Sequence, residues 1–314
     1  MPWPTVIALL ALGLGLLLES RGWFAPRFKG RIALALINIF YPSLILSALL
    51  LKLNAASLAS IWLLPFLMAL VLFVGLALGI SLEQRVGLPD DSQRRSFRFI
   101  SLLPNYSYLP LMVAQALWGD DGITLVVIAG VGADLVLWTV GVPQIMQKRE
   151  MDLRRLFLNP PLLALVLALI LLQAPFDAAR EMLQPGLGVL RQVGSATIPA
   201  SMLLLGAHLA RRTSAHQPRR AHGVLLVLRL ILIPAALSLL FMLSPGLLPA
   251  LPRQVLILVA SMPGAIVTVV LSEVHEASPD FAARHILLGH ILWLATGPFW
   301  LWLNTQLAAG AGVP

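Results

Sequence analysis

Long apolar runs separated by short, arginine-rich segments dominate this chain. A bilayer core takes about 20 mostly apolar residues per helix. Ten segments fit: 4–19, 31–51, 58–82, 94–117, 122–146, 159–174, 194–210, 222–243, 253–274 and 282–306. The fourth and ninth are interrupted near their middles by Pro with small and polar residues, LLPNYSYLP at 102–110 and SMPGAIVT at 261–268. Residues 176–192 are mixed and broken by Pro185, which predicts a short interfacial helix and turn. The first run could pass for a secretory signal, but the preceding MPWP has no Lys or Arg and no small-residue cleavage site follows, so it is kept as a span. The pattern predicts an all-α integral membrane protein with ten transmembrane helices.

Composition supports that reading. Hydrophobic residues make up 59% of the chain and charged residues 11%, against roughly a quarter charged in soluble domains. So few charges cannot cover a water-soluble globule of 314 residues. A net charge of +8 would suggest nucleic acid in a soluble protein, but here the basic residues cluster in loops between apolar runs. Seventeen Lys and Arg fall after spans one, three, five, seven and nine, against four (Lys52, Arg180, Arg191 and Arg253) on the other side. Lys and Arg are retained in cytoplasmic loops, so the expected location is a bacterial inner membrane with both termini outside, and no nucleic-acid partner. The absence of Cys excludes disulfides, thiolate metal sites and Cys nucleophiles, and no metal site or cofactor is expected.

The chain also repeats. Pro4 and Pro161, like Pro42 and Pro199, are 157 residues apart, while Pro104 and Pro263, like Gly130 and Gly289, are 159 apart. Pro65 and Pro234 depart from this register by about ten residues because the loop at 211–221 is longer than that at 52–57. Five spans per half is an odd number, so the second half must be inverted relative to the first, an arrangement common in secondary transporters.

The chemistry concentrates at the two interruptions. A mid-membrane Pro removes a backbone hydrogen bond, and irregular backbone at that depth is tolerated only inside protein or along a cavity. Paired breaks at equivalent positions point to a binding site, here Pro104, Asn105, Tyr106, Ser107 and Tyr108 facing Met262, Pro263, Gly264 and Ala265. Half-helix N-termini suit a carboxylate, and Asn105 adds an amide donor. The alternative is two ordinary proline kinks with interhelical contacts. Ionisable groups at bilayer depth are functional candidates. Asp134 in span five and His290 in span ten could flank the crossing and carry a coupling proton, or serve as structural hydrogen-bonding groups. Arg229 could snorkel or bind an anion, Asn38 is expected to bond across its neighbours, and Trp293, Trp300 and Trp302 to form an outer aromatic belt. No HExxH, GxSxG or P-loop occurs, so no enzyme activity is expected. An intramembrane enzyme would have only Asp134 with His290 for a dyad.

The stretch LPNYSYLPLMVAQALWGDDG resembles the fourth helix of the auxin efflux carrier family, where an Asn at the helix break precedes an apolar run and an aromatic-Gly step. NPPLLALVLALIL at 159–171, ATIPASMLLLGAHLA at 196–210 and LVASMPGAIVTVVLSEVHEASPDFAARHIL at 258–287 are similar to that family's sixth, seventh and ninth-to-tenth helices. Where members usually carry a Pro seven residues after the Asn, this chain has Met112, with Pro110 two residues earlier, and Ser107 replaces a common glycine. Residues 147–158 link the halves without the long loop of the plant branch, as in a compact prokaryotic member. The resemblance implies scaffold helices at 1–53 and 151–212, through which a homodimer could form, and a mobile transport domain at 54–150 and 213–314 moving as an elevator. It implies a small organic anion as cargo, either a carboxylate or an auxin-like weak acid, with a proton or sodium as coupling ion. The rival expectation is a membrane-embedded sensor or scaffold that binds ligand without net transport.

Overall fold

The structure is a computed structural model that describes residues 3–52, 61–146, 160–173, 177–210 and 218–310. The linker at 147–158, the loop at 52–57 apart from Lys52, and most of the loop at 211–221 lie outside the described residues. Among the described residues all regular structure is helical. In chain order the helices are α1 (Trp3–Ser20), α2 (Pro26–Ala35), α3 (Tyr41–Lys52), α4 (Leu63–Glu83), α5 (Asp91–Leu102), α6 (Tyr108–Val136), α7 (Val142–Ile145), α8 (Pro160–Gln173), α9 (Asp177–Ser195), α10 (Thr197–Leu209), α11 (Arg219–Val227), α12 (Ile233–Leu243), α13 (Ala250–Ala260), α14 (Val267–Val274) and α15 (Pro279–Gly310). Among the described residues, five helical stretches are long and apolar enough to cross a membrane: Pro26–Leu51, Leu63–Glu83, Tyr108–Ile145, Arg219–Leu243 and Pro279–Ala308.

Three of these stretches contain a widened π turn, at Leu36–Phe40, Leu137–Gly141 and Leu228–Leu232. Each turn opens six residues before a proline: Pro42, Pro143 and Pro234. A proline donates no N–H, and its ring crowds the carbonyl four residues back. The residue just before each proline bonds five residues back instead, Tyr41 to Leu36, Val142 to Leu137 and Ile233 to Leu228. The wider turn lets the helix continue through the proline rather than break.

Two compact units emerge. The first comprises Met1–Trp62, Leu111–Val127 and Asp152–Arg211. Within it α1 packs along α10, and α8 and α9 pack along α3. The α1–α10 approach is close enough that a Cβ on Gly15 would overlap the Leu203 carbonyl, and one on Gly206 the Leu12 carbonyl. Small residues are what allow helix backbones to meet this closely in a membrane. Helix α9 runs for 19 residues and Gly194 abuts Leu44, so this segment is a packed helix, longer than the short helix and turn expected at 176–192. Inside α6, Gly119 takes φ 60° and ψ −143°, a conformation that favours glycine. A Cβ on Gly122 would lie 2.8 Å from the Ala114 carbonyl, whereas eight residues of continuous helix span about 12 Å. The chain therefore turns back at Gly119. Arg191 Nη2 pairs with Asp120 at 2.5 Å at the tip of this hairpin.

The second unit comprises Leu63–Pro110, Ile128–Met151 and Arg212–Pro314. Helix α4 buries Leu64, Met68 and Leu72 completely while exposing Phe66, Leu70, Phe73 and Ile80. An apolar surface on the outward face is what a lipid-facing helix presents, in contrast to the polar outward face of a soluble one. Arg95 ties one end of the unit together. Its guanidinium donates to the carbonyls of Ile145 (2.6 Å), His275 (2.9 Å) and Glu276 (2.7 Å), satisfying helix ends that have no partner of their own. Trp300 closes the backbone gap left by Pro234: its indole Nε1 donates to the Leu230 carbonyl at 2.7 Å, the carbonyl four residues before the proline. Trp293 is likewise buried, with Nε1 3.4 Å from Ser261 Oγ. Of the three tryptophans expected in an outer belt, Trp293 and Trp300 are thus interior donors, and Trp302 is exposed. Asn38 in the first unit bonds back to the Leu34 carbonyl at 2.9 Å, a bond within its own helix instead of one across to a neighbour.

Candidate functional site

Both interruptions expected from the prolines are present in the second unit. Helix α5 ends at Leu102 and α6 begins at Tyr108; α13 ends at Ala260 and α14 begins at Val267. The extended backbone between them crosses as an isolated antiparallel bridge between Pro104 and Gly264. Asn105 N–H donates to the Pro263 carbonyl at 2.7 Å and Ala265 N–H to the Leu103 carbonyl at 3.1 Å. Each broken segment thus satisfies the other's backbone, which is how irregular chain survives away from water. The N-terminal ends of α6 and α14 both start at this bridge, so their positive dipole ends converge there.

The side chains are arranged around that bridge. Pro104, Asn105, Tyr106, Met262, Pro263, Gly264 and Ala265 are buried, and Ser107 and Tyr108 are half-buried. Ser107 occupies the N-cap position of α6 and makes no capping bond with its side chain. The Asn105 amide lies 3.2 Å from His290 Nε2. On the far side of the ring, Nδ1 is 2.7 Å from the Ile286 carbonyl. A carbonyl only accepts, so Nδ1 carries the hydrogen and Nε2 accepts from Asn105. Asn105 retains its carbonyl oxygen and a second amide hydrogen for another partner. Tyr106 Oη donates to Asp134 Oδ1 at 2.5 Å, and Tyr108 lies within electrostatic reach of the same carboxylate. Asp134 and His290 therefore serve consecutive residues of one interruption, His290 holding Asn105 and Asp134 holding Tyr106. Among the described residues no hydrogen bond joins Asp134 to His290 directly.

Three further groups at the site were not singled out by pattern. His285 is fully buried, and its Cδ2 lies 3.5 Å from where a Cβ on Gly264 would stand. His222 is buried against Phe281, with ring centroids 4.4 Å apart. Arg95, described above, joins the ends of the helices flanking the crossing. The signal for both histidines was their position inside or beside apolar runs, where an ionisable group is costly.

The pattern of the membrane transport protein family matches residues 4–153 and 144–301. The chain belongs to that family. The match covers nearly the whole sequence and agrees with the auxin efflux carrier resemblance carried by the Asn105 segment. A protein of Methanocaldococcus jannaschii, named as an uncharacterized transporter, is 28% identical over 240 residues, covering 74% of this chain and 75% of that one. The family member described here is a membrane transport protein, and the interrupted-helix bridge lies inside the matched regions.

Proposed function

We propose that this protein is a secondary carrier that moves a small organic anion, a carboxylate or an auxin-like weak acid, across the bacterial cytoplasmic membrane. The observation that carries the reading is the Pro104–Gly264 bridge, where two interrupted helices cross and two helix N-termini converge beside Asn105. Positive dipole ends and a free amide hydrogen favour an anionic oxygen over a neutral or cationic group. The antiparallel sense of the bridge fits two inverted five-helix repeats within ten membrane spans, with both termini outside. In this reading residues 1–53 and 151–212 form a scaffold through which two copies can pair, and residues 54–150 and 213–314 a domain that moves as an elevator. The second compact unit largely overlaps the residues assigned to that domain, while those up to Trp62 and residues 111–127 cluster with the first unit.

Coupling is assigned to a proton carried by Asp134, with His290 as the second candidate and sodium as the alternative ion. Asp134 meets a neutral tyrosine hydroxyl and no basic side chain among its hydrogen bonds, an environment in which a carboxyl can bind and release a proton in step with its surroundings. A sensor that binds the anion without moving it would share the same site. Flux measurement separates the two: purified protein in liposomes should accumulate radiolabelled carboxylate down its gradient. Binding without flux would favour the sensor.

A further inference from the structure

Next to the bridge lies a basic cluster that the carrier site does not use. Arg229, on the π turn at Leu228–Leu232, is completely buried. Its one hydrogen bond is a long contact from Nη1 to the Ser101 carbonyl at 3.5 Å. No protein group among the described residues meets Nε or Nη2, and none meets either ring nitrogen of His222 or His285. His285 stands between the other two: beside His222, and near the segment that Arg229 reaches at Ser101. The rings of His222 and His285 are nearly parallel, with centroids 6.0 Å apart, and Arg229 lies within electrostatic reach of His285. The cluster abuts the crossing: His285 packs against Gly264, and Ser101 stands three residues before Pro104.

An unpaired guanidinium away from water is among the most costly arrangements a fold can hold, and buried polar nitrogens without acceptors add to that cost. Arg229 Nε and Nη2 carry three N–H donors between them, and each neutral imidazole adds one more. A partner that supplies only acceptors and a negative charge would satisfy them together. We propose that Arg229, His285 and His222 form a buried site for one small monovalent anion beside the helix crossing. Chloride and a carboxylate group share the required chemistry. Only the carboxylate source rests on the carrier reading given above.

The test uses full-length protein in detergent. Thermal unfolding is followed at equal ionic strength in sodium chloride, in sodium acetate, and in the sodium salt of the bulky sulfonate HEPES, and retention of radiolabelled chloride is measured alongside. Wild-type protein should gain a saturable rise in melting temperature with the small anion. That response should vanish in Arg229→Met, weaken by roughly tenfold in His285→Phe through loss of one charge-assisted hydrogen bond, and persist in Asn105→Ala. A response to chloride, with chloride retained, assigns an inorganic anion; a response to acetate alone assigns a carboxylate bound apart from the Asn105 amide. Identical melting of wild-type protein in all three salts with no retained chloride overturns the proposal, as does an undiminished response in Arg229→Met. Should Arg229→Met not fold, wild-type binding and the His285→Phe shift decide the matter. Absence of flux with an intact anion response would sink the carrier reading and leave this site standing.

Discussion

Asn105 Nδ2 stands 3.2 Å from His290 Nε2, a hydrogen bond across 185 residues of sequence. It fixes the orientation of the one amide side chain at the helix crossing, because the opposite ring nitrogen is held by the Ile286 carbonyl. The bond should be worth about 1 kcal/mol, the order found for hydrogen bonds between membrane helices. A double-mutant cycle of Asn105→Ala and His290→Ala, read by thermal unfolding in detergent, should return a coupling of that size. Additive effects would mean that the two side chains do not constrain each other.

Tyr106 and Asp134 form the second such pair, with Oη donating at 2.5 Å. If Asp134 carries the coupling proton, Asp134→Asn should abolish acceleration of uptake by a pH gradient while anion exchange continues. Tyr106→Phe removes the hydroxyl that meets the carboxylate, so the pH response of uptake should change relative to wild type. A pH response unchanged in Asp134→Asn contradicts the assignment.

Trp300 supplies the hydrogen bond that Pro234 cannot, donating to the Leu230 carbonyl at 2.7 Å. Trp300→Phe keeps the aromatic packing and deletes the donor, leaving a buried carbonyl unpaired. The expected cost is about 1–3 kcal/mol, measured as lowered resistance to thermal or denaturant-induced unfolding. The same substitution combined with Pro234→Ala should cost less than the sum, since the helix can then satisfy Leu230 itself.

How much of this was legible in sequence follows from what local chemistry specifies. Both interruptions could be read because each proline stands among several small or polar residues in mid-run, whereas Pro42, Pro143 and Pro234 are carried through by π turns. Asn105 stood out for the same reason. Its partner did not, because a pairing between residues 105 and 290 depends on how distant helices pack. Asp134 and His290 were visible as costly charges, but their separate attachments to Tyr106 and Asn105 were not. The tryptophans show the opposite failure. Trp293 and Trp300 sit in an apolar run near a membrane boundary and read as belt residues, yet both point inward to polar groups that packing left without donors. The π turns follow prolines at a fixed spacing, a relation that apolar periodicity alone does not show.

Outside the membrane-spanning segments, Asp90 caps α5 by accepting the Gln93 N–H at 2.8 Å. The Ser92 hydroxyl, 2.7 Å away, together with the backbone amides holds its carboxyl below the ordinary value of 3.8. A lowered folded-state value means the cap's contribution is fully present above pH 3.8 and fades as pH falls through the lower folded value. Asp90→Ala should therefore cost about 1 kcal/mol at neutral pH, and the gap from wild type should narrow in acid. Melting curves of both proteins from neutral pH down to about pH 3 check the sign; a gap that widens in acid contradicts it.

The most direct test of the account is anion exchange through the crossing. Liposomes loaded with unlabelled carboxylate and diluted into the radiolabelled form should show counterflow with wild-type protein. Asn105→Ala, folded and reconstituted to the same density, should show none, because the amide at the Pro104–Gly264 bridge is the group proposed to hold the anion. Counterflow in Asn105→Ala equal to that of wild type would place the cargo elsewhere and contradict the site.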